Sequence, residues 1–189
     1  LPRDMAAGLT LGAVMVPAFF DWKLVRGVRD SKKLTPKKRE EWYGKMDNMR
    51  KAGLLNFTTA SSPAGMIDEE GIVPPISAAL DTCLRLLGAN PEACEILLDG
   101  NLHAPAHFVR QKTIIHGDDI EPIISVASIV AKVERDRLMT GLAVQFPQYG
   151  FETHKGYGTA AHQASIKKYG LCALHRKSFC AGIIARSAK

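Results

Sequence analysis

Two short strand-like runs in this chain break off at aspartates next to glycine, and a long segment with helical periodicity follows the second. Ile96-Leu97-Leu98 leads into Asp99-Gly100, and the run from Gln111 to His116 leads into Gly117-Asp118-Asp119. Ile123, Val126, Val130 and Val133 then recur at helical spacing, which predicts one long helix over 121–145, packed on a sheet. Strands followed by a packed helix are the units of α/β folds, which place ligand-binding groups at the carboxyl ends of their strands. Either aspartate alone also reads as the start of an ordinary turn. Together, at two strand ends, they could converge on Mg²⁺ or Mn²⁺, ions that take hard oxygen ligands and keep waters for chemistry.

The rest of the chain fits the same class. Leu9 to Phe20, rich in β-formers and small residues, reads as a buried strand, and Trp22 to Val28 as its continuation or a hairpin partner. Thr35-Pro36 opens a helix to about Lys51, with an N-cap, a proline at the first helical position and a stripe of Trp42, Met46 and Met49. Leu54 to Ala60 alternates like a strand, Pro74 to Leu87 reads as a helix ended by Gly88, and Glu95 to Leu98 as the next strand. A shorter helix is expected over Ala160 to Tyr169. The fold class predicted is α/β: a mixed sheet flanked by helices, with a helical C-terminal part.

At 189 residues the chain can bury a full core, and its net charge of +6 fits a polyanionic partner without requiring one. No apolar run approaches the roughly 18 residues of a membrane span, and no signal peptide is expected. The four cysteines, Cys83, Cys94, Cys172 and Cys180, show neither C-x-x-C pairing nor zinc-ligand spacing. Reduced thiols, a cytoplasmic location and no membrane partner are therefore expected. No long heptad pattern is present, so a monomer is expected.

His154-Lys155-Gly156-Tyr157-Gly158-Thr159 sets an aromatic ring between glycines, beside two groups suited to phosphate. Glycines let a backbone approach a ligand closely, and the ring offers a flat face to a base or sugar. The hexapeptide alone is also a Gly-rich surface turn. Some twenty residues upstream stands Ala127-Ser128-Ile129-Val130-Ala131-Lys132-Val133-Glu134-Arg135-Asp136. The pair resembles the type 2 ribonuclease H family, in its prokaryotic ribonuclease HII branch. The resemblance extends to Asp30-Ser31-Lys32-Lys33-Leu34, Ile67-Asp68-Glu69 with Gly71-Ile72, Phe146-Pro147 with Tyr149-Gly150-Phe151, and His175-Arg176 with Ser178-Phe179. It spans the chain from about Gly8 to Phe179, and the order and spacing of these motifs make it specific.

That resemblance implies a ribonuclease H-like catalytic core over 1–145 and a helical substrate-binding part over 146–189. It implies an endoribonuclease for RNA/DNA hybrids, or for ribonucleotides embedded in duplex DNA, working by two-metal hydrolysis to 5′-phosphate ends in DNA replication and repair. The implied ligands of Mg²⁺ or Mn²⁺ are Asp4, Asp99 and Asp118. Tyr157 is implied to stack at the RNA–DNA junction, with Gly8, Ser31, Lys32, Lys33, His154 and Lys155 also in contact with nucleic acid. The family's first two carboxylates form an Asp-Glu pair followed by Gly-Arg-Gly. In register with Gly8 and Gly12, Arg3 and Asp4 stand at that pair and Ala6-Ala7 at the Gly-Arg. A guanidinium beside a divalent ion opposes it, so reduced activity is expected. The alternative reading is a catalytically impaired or silent hybrid-binding homologue.

Overall fold

The computed structural model describes residues 6–28 and 34–187. Its elements in chain order are β1 (Leu9–Met15), a 3-10 turn (Trp22–Val25), α1 (Pro36–Lys51), β2 (Asn56–Ser62), α2 (Ala64–Glu70) and α3 (Val73–Leu86). Then come β3 (Ile96–Asp99), β4 (Gln111–Ile114), α4 (Gly117–Ile120), α5 (Pro122–Gln145), a second 3-10 turn (Pro147–Tyr149), α6 (Phe151–His154), α7 (Ala160–Tyr169) and α8 (Lys177–Ser187). The α/β class read from the sequence is the one found.

Two compact units share the chain. One comprises Thr10–Ala60 and Ser77–Val133, the other Leu1–Leu9, Ser61–Ile76 and Glu134–Lys189. In the first, Val126, Ile129, Val130 and Val133 of α5 bury against Phe20, Val25, Val28, Met46, Leu55 and Phe57. These are the periodic positions of the long helix, so the apolar stripe faces the core as its spacing requires. Thr35 caps α1, its Oγ1 accepting from Lys38 N at 3.3 Å, and Pro36 takes the first helical position where its missing N–H costs nothing.

β3 and β4 pair in parallel, with Ile96 opposite Gln111 and Asp99 opposite Ile114. A parallel pair needs a crossover, and here Gln111 holds it. Its Oε1 accepts from Ala104 N at 2.8 Å and its Nε2 donates to Phe108 O at 2.9 Å. β1 pairs with β2, and among the described residues no further strand joins either pair. An apolar cavity of about 720 Å³ lies within this unit, bordered by residues of β1, β3, α3 and α5. It meets consecutive residues of both strands, Leu11 to Pro17 and Cys94 to Asp99. Successive side chains of a strand point to opposite faces, so this cavity borders strand edges rather than one face.

Two expected elements differ. β1 stops at Met15 rather than running to Phe20, because Pro17 carries no N–H and its carbonyl accepts from Phe20 N at 3.0 Å in a turn. Trp22 to Val25 is a 3-10 turn rather than a strand, since the Asp21 carboxylate accepts from Lys23 N at 3.0 Å and nucleates helical geometry. α2 and α8, not foreseen, belong to the other unit and meet at Asp68, whose carboxylate accepts from Lys177 N at 2.7 Å and Ser178 N at 3.0 Å. No helix among the described residues is long and apolar enough to cross a membrane.

Candidate active site

Asp99 is the last residue of β3, half-buried, with Gly100 (φ 63°) turning the chain away after it. Its Oδ1 accepts a hydrogen bond from Gly117 N at 2.9 Å. The next residue, Asp118, is buried in the first turn of α4. Because β3 and β4 run parallel in register, both aspartates stand at the same end of the pair, as their sequence pattern predicts. Gly117 has a steric reason to be glycine. A Cβ there would lie 2.6 Å from Ile124 Cδ1 and 3.4 Å from Asp99 Oδ1. Ser125, buried in the first turn of α5, donates from its Oγ to Asp118 O at 2.5 Å and ties α4 to the long helix.

This arrangement suits a hard divalent cation. One Asp99 oxygen is fixed by a backbone amide, while Oδ2 receives no hydrogen bond from the described residues. Asp118 adds a second carboxylate, and all the donors are oxygens. Among the described residues no group of three His, Cys, Asp or Glu could hold a metal ion. Arg3 and Asp4, expected at the remaining ligand positions, lie outside the described residues, as do Ser31, Lys32 and Lys33.

The other unit assembles three backbone segments. Ala6 N donates to Gly156 O at 3.3 Å and Ala7 N to Leu174 O at 2.8 Å. Two buried arginines clamp the carbonyls beside them. Arg135 donates from Nη2 to Ala6 O at 3.0 Å and from Nη1 to Gly8 O at 2.9 Å; Arg176 donates from Nη2 to Gly8 O at 2.7 Å. Both arginines stand in the sequence motifs quoted above. A buried guanidinium must find acceptors, and these carbonyls supply them. Gly8, half-buried, fits against Ser62, whose carbonyl carbon would lie 2.5 Å from a Cβ.

Tyr157 stands half-buried between Gly156 and Gly158, with the Arg135 guanidinium 6.0 Å from its ring centroid. Gly156 (φ 80°) must be glycine, since a Cβ would come 2.7 Å from Ala6 O. Lys155 adopts a left-handed conformation (φ 51°), and its Nζ donates to Thr140 Oγ1 at 2.5 Å. His154, expected at a phosphate, is buried, with Nε2 2.7 Å from Tyr149 O and Nδ1 accepting from Gly156 N at 3.2 Å. Both its nitrogens are engaged inside the fold. A stacked partner missed in the sequence, His162, lies 4.2 Å from it centroid to centroid, and its Nδ1 is 2.9 Å from Tyr157 O. Burial pushes the His162 imidazole down to about 4, and that of His175 below its ordinary range.

A sequence model of the family described as ribonuclease HII matches residues 4–182. The chain belongs to the ribonuclease HII family. A ribonuclease HII of Geotalea uraniireducens is 41% identical over 175 residues, covering 93% of this chain and 76% of that protein. One from a Polaromonas species is 39% identical over 178 residues, covering 93% of this chain and 86% of that protein. Among solved structures, the chain is similar to the ribonuclease HII in the PCNA complex from Archaeoglobus fulgidus, with TM-score 0.69 and 21% identity over 94% of this chain and 90% of that one. It is also similar to the ribonuclease H2 of Pyrococcus horikoshii, with TM-score 0.67 and 21% identity over 96% and 100% of the two chains. The structural likenesses establish the fold, and the family membership establishes the class of activity: a metal-dependent endoribonuclease of RNA/DNA hybrids.

Proposed function

We propose that this ribonuclease HII hydrolyses the RNA strand of RNA/DNA hybrids, or the phosphodiester at ribonucleotides embedded in duplex DNA, in cytoplasmic DNA replication and repair. The observation that carries the proposal is the Asp99–Gly117–Asp118 arrangement at the carboxyl end of a parallel strand pair, inside a chain matched by the family model over residues 4–182. Asp99 and Asp118, with Asp4, are the proposed holders of Mg²⁺ or Mn²⁺. The chemistry such ions supply when bound is activation of the attacking water and stabilisation of the leaving 3′ oxygen, leaving a 5′ phosphate. The chain's own contribution is to fix its carboxylates beforehand, Asp99 through the Gly117 amide and Asp118 through α4.

On the substrate side, Tyr157 stacks on the nucleotide at the RNA–DNA junction and helps read the 2′-hydroxyl, the group by which a protein tells RNA from DNA. Ser31, Lys32, Lys33 and Lys155 contact backbone phosphates, which position the duplex without reading sequence. His154, also expected at a phosphate, supports the Tyr157 turn. In functional terms, residues 1–145 form the catalytic core, 146–189 contribute to substrate binding, and the protein acts as a monomer. Arg3 in place of a carboxylate lowers the rate by at least ~10-fold, the smaller loss typical of a weakened metal shell. Cleavage of a labelled hybrid with Mg²⁺ or Mn²⁺, with product ends identified, tests the reading. A 5′-phosphate product that disappears in Asp99→Asn supports it, and an intact hybrid at high enzyme concentration with both ions contradicts it.

A further inference from the structure

We propose that His162 and His175 are positioning residues for Tyr157: a relay of neutral imidazoles, running from Cys172 to the Tyr157 carbonyl, fixes how the aromatic ring meets a ribonucleotide. The proposal rests on the reading of Tyr157 as the stacking residue.

The contacts admit one arrangement of protons. A carbonyl only accepts, so His162 Nδ1, 2.9 Å from Tyr157 O, carries the proton of that ring, and its Nε2 is bare. His175 Nδ1 accepts from Cys172 N at 3.0 Å and is therefore bare, so the ring's proton is on Nε2. That Nε2 lies 3.1 Å from His162 Nε2, and the bond between them runs from His175 to His162. Cys172 Sγ lies 3.1 Å from the same His175 Nδ1, its thiol pushed up by burial and so kept protonated. His154 accepts from Gly156 N on Nδ1 and donates from Nε2 to Tyr149 O. One proton on each of His162 and His175 thus satisfies these contacts.

A second proton breaks the pattern wherever it is placed. On His162 Nε2 it would face the His175 N–H; on His175 Nδ1 it would face the Cys172 amide; on His154 Nδ1 it would face the Gly156 amide. The ionisable groups facing the relay are Tyr149 from the second 3-10 turn, His154 from α6 and Cys172 from the loop before α8. Among the described residues none of these is a carboxylate that would favour a charged ring. Burial favours the same neutral state. The stacked pair His154 and His162 therefore grips the turn on both sides of the ring. One imidazole accepts from the Gly156 N–H and the other donates to the Tyr157 carbonyl. His175 also bridges Ala6 in an antiparallel contact, so the relay extends to the segment leading into Gly8.

Histidine ¹⁵N–¹H correlation spectra of the whole chain at pH 7 read the tautomers directly. His162 should show the Nδ1–H form and His175 the Nε2–H form, both neutral. Any other tautomer, or a charged ring, at His162 or His175 overturns the relay. Function is then read as the ratio of affinities for a DNA duplex carrying one ribonucleotide and the same duplex without it. His162→Phe keeps a ring and loses the donor, and should reduce that ratio roughly 3- to 10-fold, the worth of a lost hydrogen bond. His162→Asn keeps an amide N–H near the Nδ1 position and should restore at least half of it. A folded His162→Phe protein with the wild-type ratio refutes the proposal, and should that variant fail to fold, the tautomers decide. Tyr157→Ala separates the two claims. If it keeps the ratio, the reading of Tyr157 fails; if it loses the ratio while His162→Phe keeps it, only the relay fails.

Discussion

Asp99 Oδ1 accepts the backbone N–H of Gly117 at 2.9 Å, and this one bond joins the end of β3 to the turn that carries Asp118. A Cβ at residue 117 would stand 2.6 Å from Ile124 Cδ1, the tip of a side chain that can turn aside. Gly117→Ala should therefore cost only ~0.5–1.5 kcal/mol of stability, the usual range for one side chain pushed off its rotamer, measured by urea unfolding. A larger loss would mean that the turn itself, and not the Ile124 side chain, has to move.

The arginine clamp makes a larger prediction. Arg135 and Arg176 are buried and hold the carbonyls of Ala6, Ala7 and Gly8. Arg135→Met keeps the volume of the stem but leaves buried acceptors without donors. Hydrogen bonds to a charged group contribute ~1.5–3 kcal/mol each, so a loss of about 3 kcal/mol or more is expected in chemical denaturation. A loss under ~1 kcal/mol would mean that water replaces the guanidinium.

Acid should destabilise the histidine cluster before carboxylates titrate. Unfolded His162 takes up a proton near its ordinary 6.5, whereas in the folded chain it does so only at about 4. The unfolded state therefore binds more protons between these values, and stability falls as pH falls through that window. The full contribution is present above about pH 7, is lost progressively from ~6.5 to ~4, and amounts to ~3 kcal/mol in all. His162→Phe should flatten this part of the profile of unfolding free energy against pH. An unchanged slope in the variant would place the titration elsewhere.

Tyr157→Ala should weaken the preference for a ribonucleotide junction more than it weakens total duplex affinity, since a stacked base is worth ~1–3 kcal/mol. Equilibrium binding to matched duplexes with and without one ribonucleotide checks this. A uniform loss across both would make the ring a packing residue.

Much of this was legible in the sequence because it is local. The long helix shows in the spacing of Val126, Val130 and Val133, α1 in Thr35-Pro36, and the strand-end aspartates in Asp99-Gly100 and Gly117-Asp118. The order of these motifs was enough to identify the family. What escaped depends on long-range packing or on single turns. Trp22 to Val25 has the composition of a strand, but the Asp21 cap bends it into a 3-10 turn. His154 stands next to Lys155 in the sequence, and its packing against Tyr149 and His162 is set only by the fold. The partners of Arg135 lie 127 to 129 residues away, beyond any sequence window.

The most direct test of the hybrid-nuclease reading is a single-turnover assay on an RNA/DNA hybrid with Mg²⁺ or Mn²⁺. It compares the parent chain with Asp99→Asn and Asp118→Asn, each shown to be folded by circular dichroism. The expected result is cleavage of the RNA strand to 5′-phosphate ends by the parent chain. Each substitution should slow it by at least ~10–100-fold, a lower bound taken from losses of support at metal sites. Equal cleavage rates in all three proteins would remove Asp99 and Asp118 from the chemistry, and with them the site proposed for this chain.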